Sequence, residues 1–506
     1  MDPSLHVSKQ TADDLLNPEY WQELCPWLHV NSTYTQPSHD VWSYLHTSSS
    51  SSSSHSTTSS TSPSTISTLS SIELQALEHL KYYGYIKLDH NEETTYHTLS
   101  SYSAACTSTS TLFPSPSWPT GLLERIARGI LRLIEAGHTA SFILVYDEVW
   151  FVQESIKLLL SKISGGNVPL GDWYIFCINP PLSIIQSEHN NNDDDENDSE
   201  NDEEEEITIS NGTAAGKYKS WPPHRDRPMN NTKAIAASFR NIEDIYPDQI
   251  SNIQTSSSSY TDNPLLNTPK YTTVWIPLTE ASPQTSCLYV IPRPLDPGYM
   301  EGDKEADNPL SAAIQHSTDF QKIIALPATP GSIVAFSHRL LHWGSKPLES
   351  MPGTPPPAPR IALSLAFSDP SFEEPYILNN WKDYIHEERN EQERQTLKHW
   401  ASEFPPHKIR LGLIAAQSLT YDHQVPLTRR QAKIASRLFH ISRKYFNSTY
   451  AEKVLSTSKW SAFKKSAVQN VQSLRRTTGA PSQDDINLLF CALASAKEGI
   501  NAEDYL

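Results

Sequence analysis

Cysteine is scarce and scattered in this chain. The 506 residues hold only five (Cys25, Cys106, Cys177, Cys287 and Cys491), with no Cys-x-x-Cys pair. Neither a zinc ribbon nor a disulfide framework is indicated. Long apolar runs are missing too. No stretch approaches a membrane span, and the first residues lack the basic-then-apolar pattern of a signal peptide. There is no Gly-rich phosphate loop after a strand and no Gly-x-Ser-x-Gly elbow, which removes two common enzyme classes. A soluble, cytoplasmic protein is expected.

Hydrophobic residues make up 37% of the chain and mean hydropathy is -0.49. That deficit is local. Residues 48–71 form a Ser/Thr-rich stretch that cannot bury enough apolar surface to fold, and it reads as a disordered linker. Residues 187–216 form a disordered insertion whose centre, residues 189–206, carries eleven acidic side chains. Most of the net charge of -18 therefore comes from one run. A further polar insertion is expected at 241–269, and long insertions are tolerable because loop-closure entropy grows slowly with length.

The remainder divides by pattern. Residues 1–47 read as an N-terminal docking segment, with an amphipathic helix and aromatic anchors over 11–30. Apolar spacing predicts helices over 72–83, 121–136 and 148–163, and strands over 84–88 and 141–146. After Gly171 the pattern turns to short apolar segments separated by turn residues: 173–178, 271–278, 286–291, 323–326, 332–336 and 361–367. That series predicts an α+β protein with a β-sandwich or jelly-roll core over 72–378 and flanking helices. Residues 379–506 read as a C-terminal helical region. Between Arg429 and Arg476 it is strongly basic, a solvated face or a surface for an acidic partner. It lacks the aromatic-and-basic signature of a nucleic-acid module, so no nucleic acid is expected.

Chemistry concentrates in two separated segments. The first is Trp221-Pro222-Pro223-His224-Arg225-Asp226-Arg227, and the second runs from Leu340-Leu341-His342-Trp343-Gly344 to Pro359-Arg360-Ile361. His-x-Asp alone is weak, since 19 histidines give roughly one such match by chance at average composition. On a strand, however, His224 and Asp226 would face the same side and reach one ion. Against this stands a polar loop in which Asp226 pairs with Arg225 or Arg227. With a second histidine the pair becomes the two-histidine, one-carboxylate set that holds ferrous iron with open positions. That histidine is His342 or His338. The two lie about 13 Å apart along an extended strand, and local pattern does not choose between them. Arg360, Ala362 and Ser364 share one strand face. A charged group inside a barrel needs a partner, and a dicarboxylate would serve; otherwise Arg360 is an outward surface residue. His90-x-Glu92 and His386-x-Glu388 lack a following apolar strand and a later His…Arg pair.

These segments, with residues 274–281, 286–292 and 326–332, resemble the phytanoyl-CoA dioxygenase superfamily over roughly residues 72–376. The resemblance implies a double-stranded β-helix (jelly-roll, cupin-like) fold. It also implies an Fe(II)- and 2-oxoglutarate-dependent oxygenase that uses O2 and releases succinate and CO2. Carried over by position, His224, Asp226 and His342 would bind the metal, with His342 favoured over His338. Arg360 would hold the far carboxylate of 2-oxoglutarate and Trp275 would flank it. Three departures stand out. Thr285-Ser286 replaces the usual Asn-Gly before Cys287. Ala362 replaces a frequent serine, leaving Ser364 as the hydroxyl on that face. The loop before Arg360 is long and Pro-rich. The retained Asp226 argues against a halogenating variant. The expected activity is hydroxylation of a small or lipid-like substrate. The alternatives are a catalytically silent jelly-roll binding protein, or a metal-binding jelly roll whose chemistry needs no 2-oxoglutarate.

Overall fold

The computed structural model describes residues 11–30, 71–89, 118–178, 222–241, 267–303, 309–345, 347, 358–378, 381, 404–420 and 429–457. The acidic tract, nearly all of the Ser/Thr stretch, most of the polar insertion, Trp221, the Pro-rich loop at 348–357 and residues 458–506 lie outside them.

Ten strands are found among the described residues: β1 (Tyr85–Leu88), β2 (Val168–Ile178), β3 (Phe239–Arg240), β4 (Thr268–Pro269), β5 (Tyr271–Pro277), β6 (Leu288–Ile291), β7 (Ile324–Leu326), β8 (Ile333–Ser337), β9 (Leu341–Gly344) and β10 (Arg360–Ser368). The main sheet has five strands in the order β1-β8-β5-β10-β2, and a smaller one has three, β7-β6-β9. Every pairing in both is antiparallel. The connections β5–β6, β7–β8, β8–β9 and β9–β10 each pass from one sheet to the other. That crossing brings segments far apart in sequence face to face.

Side-chain alternation explains the layers. On one face of the main sheet, Val274, Ile276, Ile333, Ala335, Ile361 and Leu363 join the core beneath the helices. On the other face, Trp275, Val334, Phe336 and Ala362 pack with Cys287, Leu288, Val290 and Leu326. Both faces are covered, so β5, β8 and β10 are buried along their whole length.

The helical layer draws on distant parts of the chain. In Leu122–Glu135, Ile126, Ile130 and Leu133 recur on one face and are fully buried. Each such burial contributes roughly 1.5–3 kcal/mol. Gly129 lets the N-terminal segment dock on this helix: a Cβ there would sit 2.5 Å from Leu28 Cδ1. The single helix expected within 11–30 is two, Ala12–Leu16 and Pro18–Leu24. Pro18 has no N–H with which to extend the first helix, and Asn17 caps the second through Glu19 N. Trp21 is fully buried, and its indole donates to Leu15 O at 2.7 Å. The helices His407–Thr420, Arg429–Ser442 and Ser448–Thr457 close the same layer and share its hydrophobic core.

One expected strand is absent. Residues 141–145 lie in a 3-10 helix, Ala140–Val145, and Tyr146 is its C-cap. Ile143, Leu144 and Val145 are all fully buried, so the run has neither a two-residue nor a helical period to read. No helix among the described residues is long and apolar enough to cross a membrane.

Candidate metal centre

His224 approaches the small sheet through a backbone bridge to His342 on β9. His224 N donates to His342 O at 3.0 Å, and His342 N donates to His224 O at 3.1 Å. This reciprocal pair sets the two imidazoles side by side, with ring centroids 4.3 Å apart. Asp226 lies beneath them. Its Oδ1 is 3.7 Å from His224 Nε2 and 3.6 Å from His342 Nε2. One donor atom from each of the three residues falls within a 4.8 Å group. Metal–ligand bonds of about 2.1 Å let a single ion span the two measured separations.

The hydrogen bonds prepare these atoms for a cation. His224 Nδ1 is 2.9 Å from Pro222 O, and His342 Nδ1 is 3.0 Å from Leu340 O. A carbonyl only accepts, so each Nδ1 carries a proton and Nε2 is the nitrogen each ring turns toward Asp226. Burial, with His342 alongside, pushes the His224 imidazole down to about 4, so it is neutral near pH 7. For Asp226, burial opposes ionisation, but the His342 and His224 rings, a hydrogen bond from the Thr273 hydroxyl and nearby Arg227 outweigh it. The carboxyl is held below its ordinary range.

The neighbouring arginines do not claim this carboxylate. Arg225 turns to Asp296 and Asp303, while Arg227 pairs with Asp172 and Glu373. The polar-loop alternative for Asp226 therefore fails on geometry. His338 is also removed from the group. It occupies a turn between β8 and β9 rather than the same strand as His342, and its Nε2 meets Ser238 Oγ at 2.9 Å. Burial pushes it down to about 3.

Arg360 begins β10 and is only 3% exposed. Its Nη2 donates to Ser286 Oγ at 3.2 Å, while its buried Nε has no hydrogen-bond partner. The guanidinium lies 5.6 Å from the ring centroids of both Phe176 and Trp275. No ion pair to Arg360 is found among the described residues, and burial lowers it to about 10. Trp275 Nε1 is a second buried donor without a partner. A cavity of about 130 Å³ joins this arginine to the triad, and Tyr174, Phe176, Tyr271, Trp275 and Ser364 line it. Six predicted site residues thus meet around one space.

Sequence reasoning missed Thr273, although its two-residue offset from Trp275 puts both on one face of β5. It also missed Phe176 on β2 and the Asp296–Asp303 pair behind Arg225. Ser286 stood out only as a departure. It adopts φ +86°, the left-handed region that suits glycine.

No family model and no curated protein matches the chain. Among solved structures it is similar to the epimerase SnoN in complex with Fe3+, alpha ketoglutarate and nogalamycin RO. That match has 11% identity and TM-score 0.31, covering 59% of this chain and 83% of the other. It is also similar to AviO1 from Streptomyces viridochromogenes Tue57, at 13% identity and TM-score 0.32, covering 60% of this chain and 98% of the other. A third is the non-heme alpha ketoglutarate dependent carbocyclase SnoK from nogalamycin biosynthesis, at 11% identity and TM-score 0.31, covering 61% and 87%. Such distant likeness assigns this chain no chemistry. Its own residues must do that.

Proposed function

We propose that this protein is a non-haem Fe(II)- and 2-oxoglutarate-dependent oxygenase with a double-stranded β-helix core, hydroxylating a small or lipid-like organic substrate. The observation that carries the proposal is one cavity with two different halves: a converging His224–Asp226–His342 set at one end and a buried arginine with an open donor at the other. The donor set of two imidazoles and one carboxylate suits ferrous iron and leaves coordination positions open. The unmatched guanidinium suits a carboxylate, and the cavity between them suits a dicarboxylate that reaches from one to the other. The sequence resemblance to phytanoyl-CoA dioxygenases points the same way.

In this reading, His224 Nε2, Asp226 and His342 Nε2 hold the metal. The Thr273 hydroxyl orients the Asp226 carboxylate, and the Pro222 and Leu340 carbonyls keep both imidazoles in the ligating tautomer. Arg360 anchors the cosubstrate through its far carboxylate, and the Trp275 indole N–H offers a further donor. Phe176 and Trp275 exclude water around that anchor, which strengthens its charge–charge attraction. Bound iron and 2-oxoglutarate would supply the oxidising power for hydroxylation with O2, releasing succinate and CO2.

Anaerobic titration with Fe(II) and 2-oxoglutarate tests this. Wild type should develop the weak visible charge-transfer band of chelated 2-oxoglutarate, and Arg360→Ala should show a weaker band at equal cosubstrate. No band in folded, iron-loaded wild type would sink the proposal.

A further inference from the structure

Among the described residues, Ser286 alone of the non-glycines has positive φ, at +86°. It is fully buried, immediately before Cys287 and β6. A β-carbon in this region is disfavoured, and such strain persists only when surroundings over-determine it. Here the hydroxyl does so from two sides. Ser286 Oγ donates to Ser345 O at 2.6 Å, just past the end of β9, and accepts from Arg360 Nη2 at 3.2 Å. Ser345 Oγ returns a contact by accepting from Cys287 N at 3.3 Å. One oxygen therefore ties the start of β10 to the segment that leaves His342.

We infer that Ser286 is a positioning residue for cosubstrate anchoring: its hydroxyl holds the Arg360 guanidinium in the cavity and so sets affinity for the 2-oxoglutarate carboxylate. The inference rests on the oxygenase proposal. Among the described residues, this hydroxyl is the one hydrogen-bond partner found for the Arg360 side chain. Flanking rings limit the guanidinium's position but fix no donor direction. Without the hydroxyl, a rotamer-rich side chain must be ordered anew at each binding event, and affinity falls. Glycine suffices for the backbone alone, because it adopts this φ without strain; the serine side chain adds a second role.

The test is full-length Ser286→Gly, which keeps the turn and removes the oxygen. Affinity for Fe(II) alone, and for 2-oxoglutarate in its presence, would be measured in wild type, Ser286→Gly, Arg360→Lys and the double variant. Ser286→Gly should bind 2-oxoglutarate roughly 10-fold more weakly, a loss of about one hydrogen bond to a charged group. Its Fe(II) affinity should match wild type. In the Arg360→Lys background the same change should weaken binding much less, because the hydroxyl acts through the guanidinium. Unchanged 2-oxoglutarate affinity in Ser286→Gly, or an equal loss with and without Arg360, would overturn the inference and leave the oxygenase proposal standing. Wild type that binds Fe(II) but not 2-oxoglutarate would overturn both. Ser286→Ala retains the strained β-carbon without the oxygen, so it should bind 2-oxoglutarate as weakly as Ser286→Gly and melt at a lower temperature. Wild-type affinity in Ser286→Ala would equally defeat the inference.

Discussion

Arg225 and Arg360 are both buried, at 5% and 3% exposure, yet they meet that burial in opposite ways. Every side-chain nitrogen of Arg225 has a partner. Arg225 pairs with both oxygens of Asp296 at 2.6 and 2.9 Å, with Asp303 at 2.6 Å, and with the carbonyl of Arg339 at 2.6 Å. Arg339 completes the network by reaching Asp303 at 2.8 Å and the Gly298 carbonyl at 2.8 Å. Gly298 must lack a side chain here, because its Cβ would lie 2.5 Å from an Arg225 nitrogen. Burial works against the charge on Arg225, but the two aspartates more than offset it and raise its pKa. For Arg360, burial outweighs the opposing effect of Cys287 and Cys177, with no carboxylate to help them, and lowers the pKa to about 10. Internal carboxylates complete the first arginine, which sits between two metal-ligand candidates and braces them. The second keeps a buried Nε without a hydrogen-bond partner, the donor that the oxygenase proposal gives to a cosubstrate carboxylate. Arg225 faces two carboxylates, whereas Arg360 faces a cavity and none.

The widest gap between the two should appear in unliganded stability. Arg225→Ala leaves Asp296 and Asp303 undercompensated, so urea melts should show a loss of about 3–5 kcal/mol. Arg360→Met in the same assay should match or exceed wild type, since it removes an uncompensated buried charge and keeps the volume. If both variants lose similar stability, the distinction fails.

Liganded stability should separate them in the other direction. With Fe(II) present and 2-oxoglutarate at about 100 times its Kd, wild type should gain about 2.7 kcal/mol. Arg360→Met should gain almost nothing at that concentration. A full ligand-dependent gain in the variant would place the carboxylate elsewhere.

At the metal end the equivalent of a saturated partner is Thr273. Thr273→Val keeps the shape and removes the hydrogen bond to Asp226. Fe(II) affinity should drop roughly 10–100-fold while the urea midpoint changes little. Unaltered affinity would mean the carboxylate is oriented without this hydroxyl.

A pH-dependent effect concerns His338, the buried rival of His342. Its folded-state pKa, about 3, lies below the ordinary 6.5. The unfolded chain therefore binds more protons between those values, and the neutral ring's contribution is lost as pH falls through that window. Metal-free His338→Gln should show a shallower fall in stability between pH 6.5 and about 3 than wild type does. An identical slope in both would show that this ring is not among the groups that sense acid.

How much was legible depended on whether the signal was local. Parity along a strand needs only neighbouring residues, so Arg360, Ala362 and Ser364 could be placed on one face, and Arg360 could be singled out as a charge needing a partner. The same parity misled at His338 and His342, because a turn over residues 338–340 divides what looked like one strand into β8 and β9. That turn contains neither glycine nor proline, so nothing in the pattern announced it. The run at 141–146 failed for a related reason, since burial on every side erases periodicity.

By itself, then, the sequence determined which residues could do chemistry and which strand faces they could share, because residue type and two-residue alternation are properties of the chain alone. Tertiary structure decided which of them meet. His224 and His342 are 118 residues apart, and Ser286 and Arg360 are 74 apart. Backbone hydrogen bonds between segments distant in the chain set those encounters, as does the repeated crossing between two sheets. The physical reason is that the decisive quantities, an unpaired donor at Arg360 and a strained backbone at Ser286, exist only once other parts of the chain have closed around them.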